Sequence, residues 1–460
     1  MQIPLPENTY LLYRKKWQAT VCGALLGLSI FSGNGQAQQI SRSEPLAAKA
    51  YYSYIQDFVK EGDFSGTVLI AKGDQIFFQE SFGYADLQKK IPNSLHTCFP
   101  MLALSQFYTA SLAYELEMRG ALSLEVPISV FSPDIHPFGE KIQLGHLVFH
   151  QSGIPDFWFQ KGSRNAVSSI TTPRDIRKWI QEEDLLFEPG FENEQSHSNY
   201  VLLAHILETI GGRPYNSLLE ELVFSRHSLQ QSGSLLARKR DHKLASGYDP
   251  AFNNQKLSFS SFGNHFLMPG TTEFYATAGD LFSWNRTYSA SFYEKRIPLE
   301  KLGWEPNFKT ETLSYTKHSR GPGYSAYMAY YPEDEYTVIL LSNVQSDAVK
   351  LIGEGVSQML LGGIGNSPAK RKESHFLTDD SHTYTGKYEV MSDYLLMVKR
   401  DQDRLYLKDM NGPWMPLEAI NEQTFFYRPL YVPIQFIEDS TRQIVGLKWD
   451  GQYYCPKLLQ

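Results

Sequence analysis

Along the chain the apolar positions fall first into a helical rhythm and then into an alternating one. Tyr51, Tyr54, Ile55, Phe58 and Val59 recur at three- and four-residue steps, which predicts an amphipathic helix over residues 46–60, closed by Glu61-Gly62-Asp63. Two β-rich runs follow, Thr67 to Lys72 and Gln75 to Phe82, and the pair between them, Gly73-Asp74, suits a two-residue hairpin turn. Leu104, Phe107, Tyr108 and Leu112 return to helical spacing, with Arg119-Gly120 as a cationic last turn and a glycine stop. An apolar-polar stretch runs from Ile176 to Leu186, and Tyr200 to Leu207 before Gly211-Gly212 predicts another helix. Tyr324 to Tyr331 and Tyr336 to Ser342 alternate on either side of Pro332-Glu333-Asp334-Glu335, a hairpin that the helix pattern Val349, Ile352, Val356, Leu360 could cover. Strands at both ends with helices between predict an α+β domain over residues 44–362, an antiparallel sheet flanked by helices.

The texture changes at residue 363. Gly362-Gly363, Gly365, Pro368 and Lys370-Arg371-Lys372 read as a linker over residues 363–380. Beyond it, Tyr384 to Val390, Tyr394 to Lys399, Leu405 to Lys408, Thr424 to Tyr427, Gln435 to Ile437 and Ile444 to Trp449 are short β-type runs separated by turn residues. They predict a small all-β meander or barrel over residues 381–460.

At the other end, Arg14-Lys15-Lys16, an uncharged apolar run from Ala19 to Gly33 and the small residues before Gln38 read as a Sec-type signal peptide over residues 1–37. An N-terminal anchor is the alternative. Cys22 lacks the flanks of a lipoprotein box, so no acylation is expected there. The expectation is an exported product, periplasmic or secreted, with no stable membrane span once the segment is removed. That removal leaves 40 bases against 49 acids, a balance of −9. A mildly acidic chain without blocks of like charge argues against nucleic acid as a partner. Of three cysteines only Cys98 and Cys455 would remain, too few for a disulfide framework. Two isolated thiols are expected, with a single bridge as the alternative.

Four stretches carry a family likeness. Phe99-Pro100-Met101-Leu102-Ala103-Leu104-Ser105-Gln106-Phe107-Tyr108-Thr109-Ala110 is the first, and Ile142 through Gly153-Ile154-Pro155 is the second. Asn199-Tyr200-Val201-Leu202-Leu203 and Tyr275 through Asp280-Leu281-Phe282-Ser283-Trp284 complete the set. Together they resemble the serine β-lactamase and penicillin-binding-protein-like hydrolases, class C-like in pattern. The resemblance implies a β-lactamase/transpeptidase-like fold with an inserted mainly helical region, a small β domain often appended, and neither cofactor nor metal. It also implies three converging motifs: Ser-x-x-Lys at the start of a long helix, Tyr-x-Asn, and Lys-Thr-Gly or His-x-Gly on the closing strand. The chemistry needs them because a hydroxyl attacks only when a nearby group of tuned pKa takes its proton, and the oxyanion that forms needs aimed N–H donors.

Matched residue by residue, the first motif places the nucleophile on Ala103 and the lysine on Gln106. A methyl group cannot attack, and a neutral amide cannot act as a base near pH 7. Ser105 lies about 200° around the helix from the motif position and reads as a structural hydroxyl. The Tyr-x-Asn positions fall on Gln195-Ser196-His197, and the third motif falls on His318-Ser319-Arg320 with one residue deleted before Gly323-Tyr324. Arg320, in place of glycine, would fill the cleft or clamp an anion. His150, taken alone, is more often a structural histidine than a catalytic one. A metal site on His197 and His318 lacks a third ligand at recognised spacing.

The sequence therefore reads as a hydrolase fold whose mechanism has been lost. The helix start at Ala103, helped by Gln106, Gln195, His197, His318, Ser319 and Arg320, is expected to form a vestigial pocket. It could hold a small carboxylate, a peptidoglycan-derived fragment or a protein partner. Two alternatives stand beside this pseudoenzyme. One is a rewired hydrolase in which His197 or His318 activates Ser196, Ser319 or Ser325. The other is an interaction module acting through its C-terminal β domain.

Overall fold

The computed structural model describes residues 40–135, 138–158, 172–237, 243–250, 257–260, 267–307, 312–365, 384–391, 394–402, 404–409 and 414–458. The expected signal segment lies outside them, as does the linker from residue 366 onward. Ala48–Gln460 form one compact unit.

Helix α1 (Ile40–Lys60) buries Tyr51, Ile55 and Phe58, the stripe that its sequence predicts. The hairpin β1 (Gly66–Lys72) and β2 (Gln75–Phe82) follows, with Tyr51 edge-on to Phe78 at 5.8 Å tying helix to strand. Helix α2 (Gln106–Met118) is buried on every side from Gln106 to Ala113. It is thus a central helix, at the position where the spacing predicts one. Its polar residues are tolerated because each is hydrogen-bonded: Ser111 Oγ accepts from Trp284 Nε1 at 2.9 Å and Thr109 Oγ1 donates to Gly270 O. Phe107 stacks on Trp284 with centroids 4.5 Å apart. Helix α3 (His197–Gly211) ends at Gly212, whose φ of 62° is the left-handed conformation expected of a helix-stopping glycine.

Strands β3 (Glu305–Asn307), β4 (Ser314–Gly321), β5 (Tyr324–Tyr331) and β6 (Tyr336–Ser342) complete a six-stranded antiparallel sheet in the order β3-β4-β5-β6-β1-β2. Strands from both ends of the segment pair in it, β1 against β6. Helix α4 (Ala348–Leu360) packs on β5 and β6, Gly353 lying so close to the Tyr327 ring that a Cβ would meet it at 2.2 Å. The predicted α+β architecture is the observed one.

The C-terminal segment has a core of its own. Strands β7 (Gly386–Met391), β8 (Tyr394–Asp401), β9 (Arg404–Asp409) and β10 (Met415–Pro416) form one antiparallel sheet. β11 (Glu418–Ala419), β12 (Thr424–Tyr427), β13 (Val432–Glu438), β14 (Ile444–Trp449) and β15 (Tyr453–Pro456) form a second. Both seams are closed. Leu417, between β10 and β11, donates its N–H to Leu405 O, and β7 meets the end of β15 through the Tyr388–Lys457 bridge and the Leu458 N–H to Lys387 O. With β10 and β11 counted as one bent strand, this is an eight-stranded up-and-down barrel. Its interior is filled by side chains such as Tyr388, Leu407, Phe425, Ile434, Phe436 and Cys455, as expected for a barrel of this size. The sequence runs missed β10, β11 and β15, each only two to four residues long. Cys98 and Cys455 are both buried and are not joined in a disulfide.

Candidate functional site

A tight turn precedes α2. Leu102–Ser105 form a single 3₁₀ turn, and Leu102 enters it with φ 53°, a left-handed conformation unusual for a leucine. Ala103 is 3 % exposed and Gln106 is fully buried. The Ala103 N–H donates to Ser319 Oγ at 3.1 Å. The donor that an acyl oxyanion would need is therefore occupied by the chain's own hydroxyl. Ser105, read as structural, accepts from the Phe274 N–H at 3.2 Å.

Gln106 lies in a neutral hydrogen-bonded row. Its Nε2 donates to Thr271 Oγ1 at 3.2 Å, and its Oε1 lies 3.4 Å from His150 Nε2. His150 Nδ1 accepts from the Ser196 N–H at 3.2 Å, which leaves the ring proton on Nε2, facing the amide oxygen. Burial holds the His150 pKa well below the ordinary histidine value, and the charges of Lys317 and His197 push it the same way. Unfolding below about pH 6.5 should accordingly take up a proton at this site, because the unfolded imidazole binds it and the folded one does not. Stability is expected to fall by about 1.4 kcal/mol per pH unit below that point. Urea unfolding at pH 7.5 and 5.5 should show this slope in the parent and its loss in His150→Asn.

The other sequence-marked residues go elsewhere. His197 Nδ1 meets Asp156 Oδ2 at 2.6 Å, its backbone N–H donates to the same oxygen at 2.8 Å, and Trp158 lies against its ring. Burial raises the Asp156 carboxyl, but the His197 contacts more than offset it and its pKa is lowered. Gln195 is exposed.

On β4 the alternation of side chains decides the outcome. Ser319 faces Ala103, so His318 and Arg320 face away, and both reach Asp347 Oδ1, at 3.3 Å and 3.0 Å. Arg320 therefore neither plugs the cleft nor clamps an anion there, a correction to the sequence expectation; motif matching is blind to which face of a strand a residue takes. Burial pushes the Asp347 carboxyl up, yet the hydrogen bond from His318 and the charge of Arg320 hold its pKa below the usual range.

Sequence reasoning missed Lys317. Its side chain is fully buried on the Ser319 face of β4, donating to Gly303 O at 3.0 Å and pairing with Glu305 at 3.1 Å. A lysine within an alternating strand gives no signal of burial. Neither Ser196 nor Ser325 touches a histidine side chain through its hydroxyl. Ser196 Oγ donates to Pro155 O and Ser325 Oγ to Val344 O. Among the described residues no group of three His, Cys, Asp or Glu side chains could hold a metal.

Residues 53–355 match the profile of the family described as Beta-lactamase. The chain belongs to the Beta-lactamase family. Within this family it is 26 % identical to Penicillin-binding protein 4* of Bacillus subtilis over 422 residues, 83 % of this chain and 92 % of that one. It is 25 % identical to the Teichoic acid D-alanine hydrolase of Staphylococcus aureus, over 50 % of this chain and 54 % of that one. The octameric penicillin-binding protein homologue from Pyrococcus abyssi superposes with a TM-score of 0.59 at 20 % identity, covering 89 % of this chain and 99 % of that one. That last likeness speaks to the fold, barrel included. The residues that sequence resemblance matches to the family's Ser, Lys, Tyr and Asn are Ala103, Gln106, Gln195 and His197. No helix among the described residues is long and apolar enough to cross a membrane.

Proposed function

We propose that this chain is an exported, catalytically silent member of the family, a binding protein for a small carboxylate or wall-derived D-alanyl fragment. One observation carries the reading. At the nucleophile's position stands a methyl group, and the N–H beside it is already satisfied by Ser319 Oγ at 3.1 Å. Gln106, in the lysine's place, is held by Thr271 and His150 with no group in contact able to take a hydroxyl proton near pH 7. A ligand carboxylate would gain the Ala103 N–H by displacing the Ser319 hydroxyl. The D-alanyl class is suggested by the names of the relatives, a penicillin-binding protein and a teichoic acid D-alanine hydrolase.

The 2.6 Å His197–Asp156 pair favours a second reading, a rewired hydrolase, since an imidazole set by a carboxylate is half of a triad. The adjacent serine, Ser196, turns its hydroxyl to Pro155 O and not to the imidazole.

Incubation with a fluorescent penicillin and with a fluorophosphonate separates the two. The intact mass is expected to stay unchanged, and D-alanyl esters should not be hydrolysed above the buffer rate. An adduct mapped to any serine overturns the silent reading. D-alanyl-D-alanine peptides and soluble muropeptides are expected to raise the melting temperature, and absence of any shift would rule out the binding role.

A further inference from the structure

The barrel is anchored where it can act on the silent site. Its turn Arg428-Pro429-Leu430-Tyr431 meets the end of α1 through charge and ring contacts. Arg428 Nε lies 3.6 Å from Asp63 Oδ1, Arg428 Nη2 meets Glu418 Oε1 at 2.9 Å, and Tyr431 Oη donates to Asp63 Oδ2 at 3.1 Å beneath the Phe58 ring. Asp63 is 1 % exposed and Arg428 7 %, so this contact is sealed from solvent, where ion pairs are screened least. Tyr431 holds φ 55°, a conformation that persists only where its surroundings impose it.

The same turn reaches the site by another route. Pro429 O accepts the Asp347 N–H at 3.2 Å. The Asp347 carboxylate in turn holds His318 and Arg320. These are the two neighbours of Ser319, gripped from the face of β4 opposite the one on which Ser319 Oγ covers the Ala103 N–H. One carboxylate thus fixes the strand on either side of the covering hydroxyl, and the barrel turn fixes the backbone of that carboxylate.

We infer that the barrel is a brace for the plug: its docking through Arg428, Pro429 and Tyr431 sets Asp347, and Asp347 holds Ser319 over the helix start. Asp347 is a positioning residue, and loosening the barrel turn frees the Ala103 N–H without changing Ala103 or Ser319. The inference deepens the proposed binding role and rests on it for meaning, but thiol access is read independently of acylation or ligand shifts.

The test uses full-length Ser319→Cys and a small charged methanethiosulfonate, with labelled peptides mapped by mass spectrometry. Buried Cys98 serves as an internal reporter of general loosening. In this background Asp347→Asn is expected to speed labelling at position 319 at least about tenfold, because the part-exposed carboxylate that holds His318 and Arg320 is gone. The paired change Asp63→Asn with Arg428→Gln should do the same without leaving an orphaned buried charge. Arg442→Ala, on an exposed turn between β13 and β14, should leave the rate as in the parent. An unchanged rate in both the Asp347 and the paired variants overturns the inference. So does a parallel rise at Cys98, which would make the barrel a general stabiliser and not a brace.

Discussion

Gln106→Lys, which returns the family's lysine to its position, is expected to cost about 3–5 kcal/mol of stability and to yield no hydrolase. The position is fully buried, and the amide there accepts from His150 Nε2 while donating to Thr271 Oγ1. An ammonium can replace the donation but not the acceptance. It would also share a region in which the buried Lys317 charge already depresses His150. Desolvation lowers the pKa of the introduced amine, so the folded variant binds fewer protons than its unfolded chain, and stability should rise with pH towards about 10. Urea unfolding at pH 7 and 9.5 measures both effects, and a variant as stable as the parent at pH 7 would show that the row around Gln106 tolerates charge. Adding Ala103→Ser is expected to leave ester turnover at background, because Ser319 still occupies the 103 N–H.

Arg428→Ala should be the costliest single change in the barrel, at about 3–5 kcal/mol. It strips the guanidinium from Asp63, whose side chain is fully buried, and from Glu418. The paired change Asp63→Asn with Arg428→Gln is expected to cost less, since the fully buried carboxylate goes with the guanidinium and only the part-exposed Glu418 is deprived of it. Chemical denaturation of the parent, the single and the paired variants checks this. Equal losses in the single and paired variants would mean that side-chain packing and not charge sets the cost.

α1 and β2 were legible because one face meets the core and the other does not, whereas β1, β5 and β6 are buried along nearly their whole length and showed as β-rich runs bounded by turn residues. In α2 the sequence gives no sign that Gln106, Thr109 and Ser111 are buried, because they are satisfied by Thr271, Gly270 and Trp284, far away in the sequence. In the site, the residue types of Ala103 and Gln106 are visible from the sequence alone. Which way a strand residue points is not. Ser319, His318 and Arg320 are consecutive letters, and only the docking of β4 against Ala103 and of α4 behind it separates a plug from two braces. Lys317 and Asp347 were invisible for the same reason. Their importance comes from partners, Gly303 and Glu305 for one and His318, Arg320 and Pro429 for the other, that no local pattern announces.

The closure of the barrel narrows how other molecules can recognise this chain. With both seams joined, through Leu417 to Leu405 and through Tyr388 to Lys457, the module offers no row of unpaired backbone groups among its described residues. A peptide cannot extend it by strand addition, so any partner it has must be read by side chains on its outer wall or by its turns. The large sheet ends instead in β2 and in the short β3, which pairs with Ser314–Thr316 of the strand that carries Ser319, so strand addition is open at those edges.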